Sequence, residues 1–257
     1  MAELVTFLPI AVLGLLVGVL IGCVGIGGVL LVPGLVYLGG MDVPIAIATC
    51  MFSYLFAGAV GAAEYARRGS IRWPMAIVLC VGAMPSAYLG ALCVSITPAV
   101  WLETIIASMV LFSGIYALGR HALAVGEIPG HTAAQLGLVG AVTGFASALS
   151  GTGGPLVLIP VLVWMRVPLL TAIGASQVIQ VPISAFATIG NFQHGEIDVH
   201  ASLAIAVLLV VGVVVGARVA HHLPALLLKR MVSGVLIAVG VAMALRIIYA
   251  ASIGAQP

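Results

Sequence analysis

Residues 22–33 read GCVGIGGVLLVP, and residues 150–160 read SGTGGPLVLIP. Glycine costs about 1 kcal/mol relative to alanine inside a helix. A Gly-x-Gly-Gly run in the middle of a long apolar stretch therefore marks a break, not a continuous helix. Here the same break occurs twice, 126 residues apart, each time followed closely by proline.

The surroundings of these breaks fix the class of protein. Of 257 residues, 63% are hydrophobic and only 6% are charged. Soluble domains carry about 25% charged residues. No charge lies between Glu3 and Asp42, between Arg72 and Glu103, or between Arg166 and Glu196. A membrane-spanning helix needs roughly 20 apolar residues, and these gaps exceed that. The runs are continuous and rich in Ala, Leu and Gly, unlike the alternating segments of about 10 residues in a barrel. The sequence thus predicts an all-α integral membrane protein that crosses the membrane many times. The N-terminal run, with Glu3 and no basic segment before it, does not read as a cleaved signal.

Charges and turn residues divide the chain into apolar segments at 6–40, 44–64, 73–96, 99–119, 133–165, 168–191, 200–220 and 225–250. Two of them, 6–40 and 133–165, are too long for one ordinary span, and each has a glycine run near its middle. A constant shift of 126 aligns Gly14 with Gly140 and Gly18 with Gly144. It also aligns Gly25, Gly27 and Gly28 with Gly151, Gly153 and Gly154, and Gly69-x-Ile71 with Gly195-x-Ile197. It continues through Gly90-Ala91 with Gly216-Ala217, Pro98-Ala99 with Pro224-Ala225, Gly114 with Gly240, and Arg120 with Arg246. The chain reads as a first repeat, 1–122, a connecting loop, 123–132, and a second repeat, 133–257.

Basic residues gather on the cytoplasmic side of a membrane protein, which orients the repeats. If each glycine segment crossed once, Arg67, Arg68, Arg72, Arg120 and Arg246 would oppose Arg166, Arg218, Lys229 and Arg230, with no bias. If each glycine segment enters and returns to one side, all but Arg246 fall together. The second arrangement predicts two inverted repeats. Each comprises a glycine-broken, re-entrant-like hairpin and three transmembrane helices, and both termini lie outside. A 6–40 segment is about 52 Å long as helix, short of the roughly 60 Å of two full crossings, as a hairpin of short helices requires.

Inverted repeats with broken helices are an architecture of secondary transporters, with the site where the breaks meet. A helix N-terminus presents unpaired N–H groups and about half a positive charge, and so attracts anions. Second half-helices starting at Gly28-Val29 and Gly154-Pro155 would face each other, and Pro155 suits a first helical turn. The alternative is that these glycines only let helices pack closely. The candidate site residues are Gly25, Gly27 and Gly28 from the first turn, and Ser150, Gly151, Thr152, Gly153 and Gly154 from the second. Thr49, Cys50, Ser53, Ser176, Gln177 and Gln180 join them from the span that follows each turn. Buried amides and hydroxyls there need partners, and the two glutamines are the costliest to bury. Ser147 flanks the second turn, and Asn191 lies near the end of its span. No Lys or Arg is placed at mid-membrane, so backbone dipoles would meet the ligand's charge.

Glu64, Arg67 and Arg68 have the spacing of a surface ion pair. His194, His200, His221 and His222 read as histidines at the membrane surface. Cys23, Cys50, Cys80 and Cys93 lack metal-ligand spacing and read as small packing residues. No HExxH, GxSxG, phosphate-binding loop or paired-carboxylate pattern appears. The sequence calls for no enzyme chemistry, cofactor or metal, and no basic tract points to nucleic acid.

The stretches GLLVGVLIGCVGIGGVLLVPGLVYL (14–38) with ATC (48–50), and GLVGAVTGFASALSGTGGPLVLIPVLVWM (137–165) with GAS (174–176), resemble the sulfite exporter TauE/SafE family of membrane permeases. The resemblance covers about residues 8–248. It implies export of a small sulfur-containing anion, sulfite or an organosulfonate such as sulfoacetate, through a multi-pass protein of the inner cell membrane. The expected partners are that anion and the lipid bilayer, and a homo-oligomer is compatible with the sequence. A small-anion channel, or a permease for another oxyanion, is the alternative. The family often has Thr-Ser after its second hydrophobic stretch, where this chain has Thr49-Cys50 and Ala175-Ser176.

Overall fold

The computed structural model describes residues 2–25, 27–118, 130–220, 234 and 237–249. Arg120, His221, His222, Lys229, Arg230 and most of the 123–132 loop lie outside the described residues. The described chain is helical, with no strand: α1 (Ala2–Val24), a 3-10 turn (Gly28–Leu30) running into α2 (Leu31–Tyr37), α3 (Val43–Arg67), α4 (Trp73–Ile96) and α5 (Ala99–Leu118). Then follow α6 (Ala133–Ser150), α7 (Pro155–Trp164), α8 (Leu169–His194), α9 (Val199–Val219) and α10 (Ile237–Tyr249). Among the described residues five helices, α3, α4, α6, α8 and α9, are long and apolar enough to cross a membrane.

Local chemistry sets the helix ends. Proline occupies the first turn of α3, α4 and α7, where its missing N–H costs nothing. Thr132 opens α6 with a capping box: its side chain accepts from Gln135 N at 3.3 Å, and its own N–H donates to Gln135 Oε1 at 3.2 Å. Asp198 Oδ1 caps α9 by accepting from Ala201 N at 2.9 Å.

Both glycine segments double back. Along the first, Gly27 lies against Val17, Gly34 against Leu13 and Gly39 against Ile10, so α2 returns along α1. In the second, His131 Nε2 before α6 meets Met165 O after α7 at 3.1 Å. Each short arm is about 15 Å of helix, half a bilayer core, and the non-helical turn supplies the remaining reach.

The shift of 126 holds for the elements as well. It carries the bounds of α3 from 43–67 to 169–193, against 169–194 for α8, and the start of α4 from 73 to 199, where α9 begins. Packing exchanges the halves: α1 lies on α9, and α6 on α4. Glycines set against the partner helix's backbone make these contacts. A Cβ at Gly18 would lie 2.5 Å from Leu209 O and 3.0 Å from Gly212 Cα, and one at Gly144 would lie 2.5 Å from Ala83 O. Such close approach is how helices associate where lipid and protein are equally apolar.

Between these pairs α3 packs on α8. Phe52 meets Phe192, Gly58 meets Gln180 and Gly61 meets Gln177. Residue numbers rise on one helix as they fall on the other, so the two run antiparallel. The four cysteines are free thiols, with Cys23, Cys50 and Cys80 buried.

Gly18→Val is expected to wedge α1 from α9. Overpacking costs of about 1–3 kcal/mol would appear as earlier loss of monodisperse protein on heating. Gly130→Val, where a Cβ meets nothing within 4 Å, is expected to leave the heating profile unchanged.

Candidate functional site

The two glycine turns meet at the centre of the molecule. A Cβ on Gly28 would lie 2.8 Å from Thr152 O, so the first turn touches the second through backbone. Gly25, Gly153 and Gly154 have φ of 75°, 79° and 118°, values that side chains other than glycine rarely adopt. α6 ends on Gly151 in the left-handed region, with Thr152 N donating to Ser147 O at 3.1 Å, a closed C-terminal turn. Pro155 then starts α7, and Gly28 starts the 3-10 turn that leads α2. Both new helix ends therefore fall where the glycine spacing predicts them.

α3 and α8 supply the side chains around the turns. Tyr54 OH donates to Gly28 O at 2.6 Å, and its ring lies beneath Gly153. Gln180 Nε2 donates to Tyr54 O at 3.4 Å, and its Cδ would be 3.5 Å from a Cβ on Gly153. Gln177 Nε2 donates to Ile21 O at 2.8 Å, in the last turn of α1, where that carbonyl also accepts from Gly25 N at 2.9 Å. Ser176 Oγ lies 3.3 Å from the Cβ position of Gly25 while donating to Ile173 O at 2.7 Å. Ser150 Oγ and Thr152 Oγ1 share a hydrogen bond at 3.0 Å. Cys50 is fully buried one turn before Tyr54.

The turns thus bring together Gly25, Gly28, Thr152, Gly153, Gly154, Ser176 and Gln180, with Ser150, Gly151 and Gln177 adjoining. Gly27 turns the other way: its Cβ would strike Val17 O at 2.6 Å, so it lets the first hairpin close. Ser53 also departs. Its Oγ lies 2.8 Å from Ser202 O and 2.9 Å from Thr49 O, which ties α3 to α9. Thr49 is buried with no hydrogen bond from its hydroxyl.

Tyr54 is the residue that sequence reasoning passed over. Its signal was present, because the shift of 126 pairs it with Gln180. The two positions touch through the bond of Gln180 Nε2 to Tyr54 O.

Every buried polar side chain among the described residues is uncharged. The nearest ion cluster is at the end of α3, where Glu64 meets Arg67 at 3.6 Å and Arg68 at 3.8 Å. The centre can therefore offer hydroxyls, amides and the first-turn N–H groups of two helices to a small anion, without a countercharge that would hold it permanently. No group of three or more potential metal ligands occurs among the described residues.

Comparison with known proteins identifies the family. Residues 10–243 match the family model described as sulfite exporter TauE/SafE. The chain is 24% identical over 221 residues to the probable membrane transporter protein YdhB of Bacillus subtilis, covering 83% of this chain and 90% of that one. It is 27% identical over 182 residues to the probable membrane transporter protein MJ0441 of Methanocaldococcus jannaschii, covering 68% of each. No solved structure matches it. With five candidate spans and a match over most of its length, this chain is a multi-pass membrane protein that belongs to the sulfite exporter TauE/SafE family.

Proposed function

We propose that the protein is a secondary transporter of the inner cell membrane that exports a small sulfur-containing anion, sulfite or an organosulfonate such as sulfoacetate, by alternating access. The observation that carries this reading is the junction of the two glycine turns, where the helices beginning at Gly28 and Pro155 start side by side among neutral donors. Both helix ends favour negative charge. Ser176, Gln180 and the Tyr54 hydroxyl are the side chains within reach of that point. Export needs no nucleotide, because an inside-negative potential drives an anion outward by about 2.3 kcal/mol per charge per 100 mV.

Inverted halves support this reading, and the packing supports inversion. Equivalent helices α3 and α8 run antiparallel, which an axis in the membrane plane produces. Each hairpin returns to the side it left, so three spans per half reverse the second half. The contact of Gly28 with Thr152, held by the Tyr54 hydroxyl, closes the centre and favours alternating access over an open channel. The bodies that separate in that cycle are α1–α2 with α9 and α6–α7 with α4, because the sequence halves interleave through these pairs.

Reconstituted in liposomes, the protein is expected to move radiolabelled sulfite with saturation. Gln180→Met, close in volume but without the amide, is expected to lower sulfite flux at least tenfold while the protein still purifies as a monodisperse species. Flux and half-saturation equal to the native protein in both Gln180→Met and Ser176→Ala would remove these residues from the site. Thiol labelling of Ser70→Cys and Glu196→Cys is expected from opposite faces of the membrane, and labelling from one face rules out inversion. Tyr54→Phe removes a buried hydrogen bond and leaves Gly28 O with the Leu31 backbone N–H alone, a loss of about 0.5–1.5 kcal/mol. Its thermal midpoint is expected to fall below that of Tyr88→Phe, whose lost hydroxyl bond to Gln193 is exposed.

A further inference from the structure

The face of α8 that carries Gln177 and Gln180 continues past the glycine turns. Ser184, Thr188 and Asn191 follow at spacings of four, four and three, so all five project from one side of the helix. Each is at most 6% exposed. Gln177 Oε1, Gln180 Oε1, Ser184 Oγ, Thr188 Oγ1 and Asn191 Nδ2 make no hydrogen bond within the protein. The same holds for Thr49 on α3 and for Thr143 and Ser147, one turn apart on α6. Buried polar atoms in native proteins are almost always paired. The usual reason for Ser and Thr in a membrane helix is a bond to a neighbouring helix or its own backbone, and these hydroxyls make neither. From Gln180 to Asn191 the stripe runs about 16 Å, half the thickness of a bilayer core.

The stripe is one-sided. The shift of 126 pairs Ser184 with Gly58, Thr188 with Ala62, Thr143 with Val17 and Ser147 with Ile21, so the equivalent positions in the other half are apolar or small. Asn191 pairs with Tyr65, whose hydroxyl donates to Gly22 O at 2.8 Å. One turn further on, Arg68 donates to Ala217 O at 2.7 Å. Helices α1, α3 and α9 are therefore tied together at the end that carries Arg67, Arg68 and Arg72. The polar stripe leads the other way. Because α3 and α8 are antiparallel, Thr49 lies level with the last turns of α8, toward the face that carries Glu196 and Asp198.

We infer that Ser184, Thr188 and Asn191, with Thr49, Thr143 and Ser147, line a hydrated half-passage from the glycine turns to the Glu196–Asp198 face. Neutral hydroxyls and a carboxamide can donate to the oxygens of a small oxyanion one after another without trapping it. The cargo of this passage rests on the transport reading, whereas its hydration does not.

The test places single cysteines at Ser184, Thr188 and Asn191, and at Ala62 as the equivalent position of Thr188, in the otherwise native protein. The four native cysteines set the background. A membrane-impermeant methanethiosulfonate is added from the Glu196 face of proteoliposomes. Ser184→Cys, Thr188→Cys and Asn191→Cys are expected to react roughly ten-fold or more faster than Ala62→Cys, since a hydrated thiol ionises far more readily than a dry one. Equal rates overturn the passage. Hydrogen–deuterium exchange on the native protein decides it if a variant does not fold: amides 184–191 exchanging no faster than amides 58–65 also overturn it. Fast labelling in a protein that moves no sulfite or sulfoacetate keeps the passage and removes the cargo. Saturable flux with unreactive cysteines keeps the cargo and removes the passage.

Discussion

Backbone groups released by a broken helix must find partners inside the protein when the surroundings are hydrocarbon. That constraint organises this molecule around its two glycine turns. Where α1 stops, Gly22 O accepts from Tyr65, while Ile21 O and Gly28 O, already paired with the N–H groups of Gly25 and Leu31, take a second donor from Gln177 and Tyr54. Where α6 stops, Ser147 O accepts from the backbone of the turn itself. Each break is therefore completed by α3, by α8 or by its own turn. These two helices lie at the middle of the fold because they are the ones that satisfy the breaks.

The helix pairs outside them follow from a different force. Lipid and protein interior are equally apolar, so association rests on close van der Waals packing. Gly18 and Gly22 on α1 meet the backbone of Leu209, Gly212 and Val213 on α9, and Gly140 and Gly144 on α6 meet the backbone of Leu79 and Ala83 on α4. The halves thereby exchange their first helices. Neither half could keep this packing alone, since the partner of each glycine face is in the other.

Much of this was legible in the sequence, because glycine and proline punctuate a chain more sharply than any other residue. The breaks, the short returning arms, the start of α7 at Pro155 and the 126-residue spacing are all read from such residues. The rotation of each helix was not. The middle of α3 carries only scattered polar residues among apolar ones, so its sequence does not mark which face meets α8 and which meets α9. Ser53 and Tyr54 are neighbours in sequence, yet one bonds to Ser202 O on α9 and the other to Gly28 O. Polarity picked out Ser53, while the aromatic ring hid Tyr54. Gly27 was grouped with its neighbours by motif, but the side of the turn on which its hydrogen points places it against Val17 instead.

The shift of 126 aligns the positions of α3 and α8, and the side chains at aligned positions differ. The substitutions between the copies supply that difference on one framework. At the glycine turns, the paired positions Tyr54 and Gln180 bring a hydroxyl to Gly28 O and a carboxamide beside Gly153. Further along α3, Tyr65 reaches Gly22 O, whereas its equivalent, Asn191, is too short for the corresponding bond and keeps an unpaired amide. Arg68 ties α3 to α9, while its equivalent, His194, bonds only within α8 through Gly190 O at 3.3 Å. Longer side chains thus tie down the end near the arginines, and shorter polar ones leave the opposite end open to hydration. The difference between α3 and α8, whose bounds the shift of 126 superposes, thus enters through the reach of three side chains.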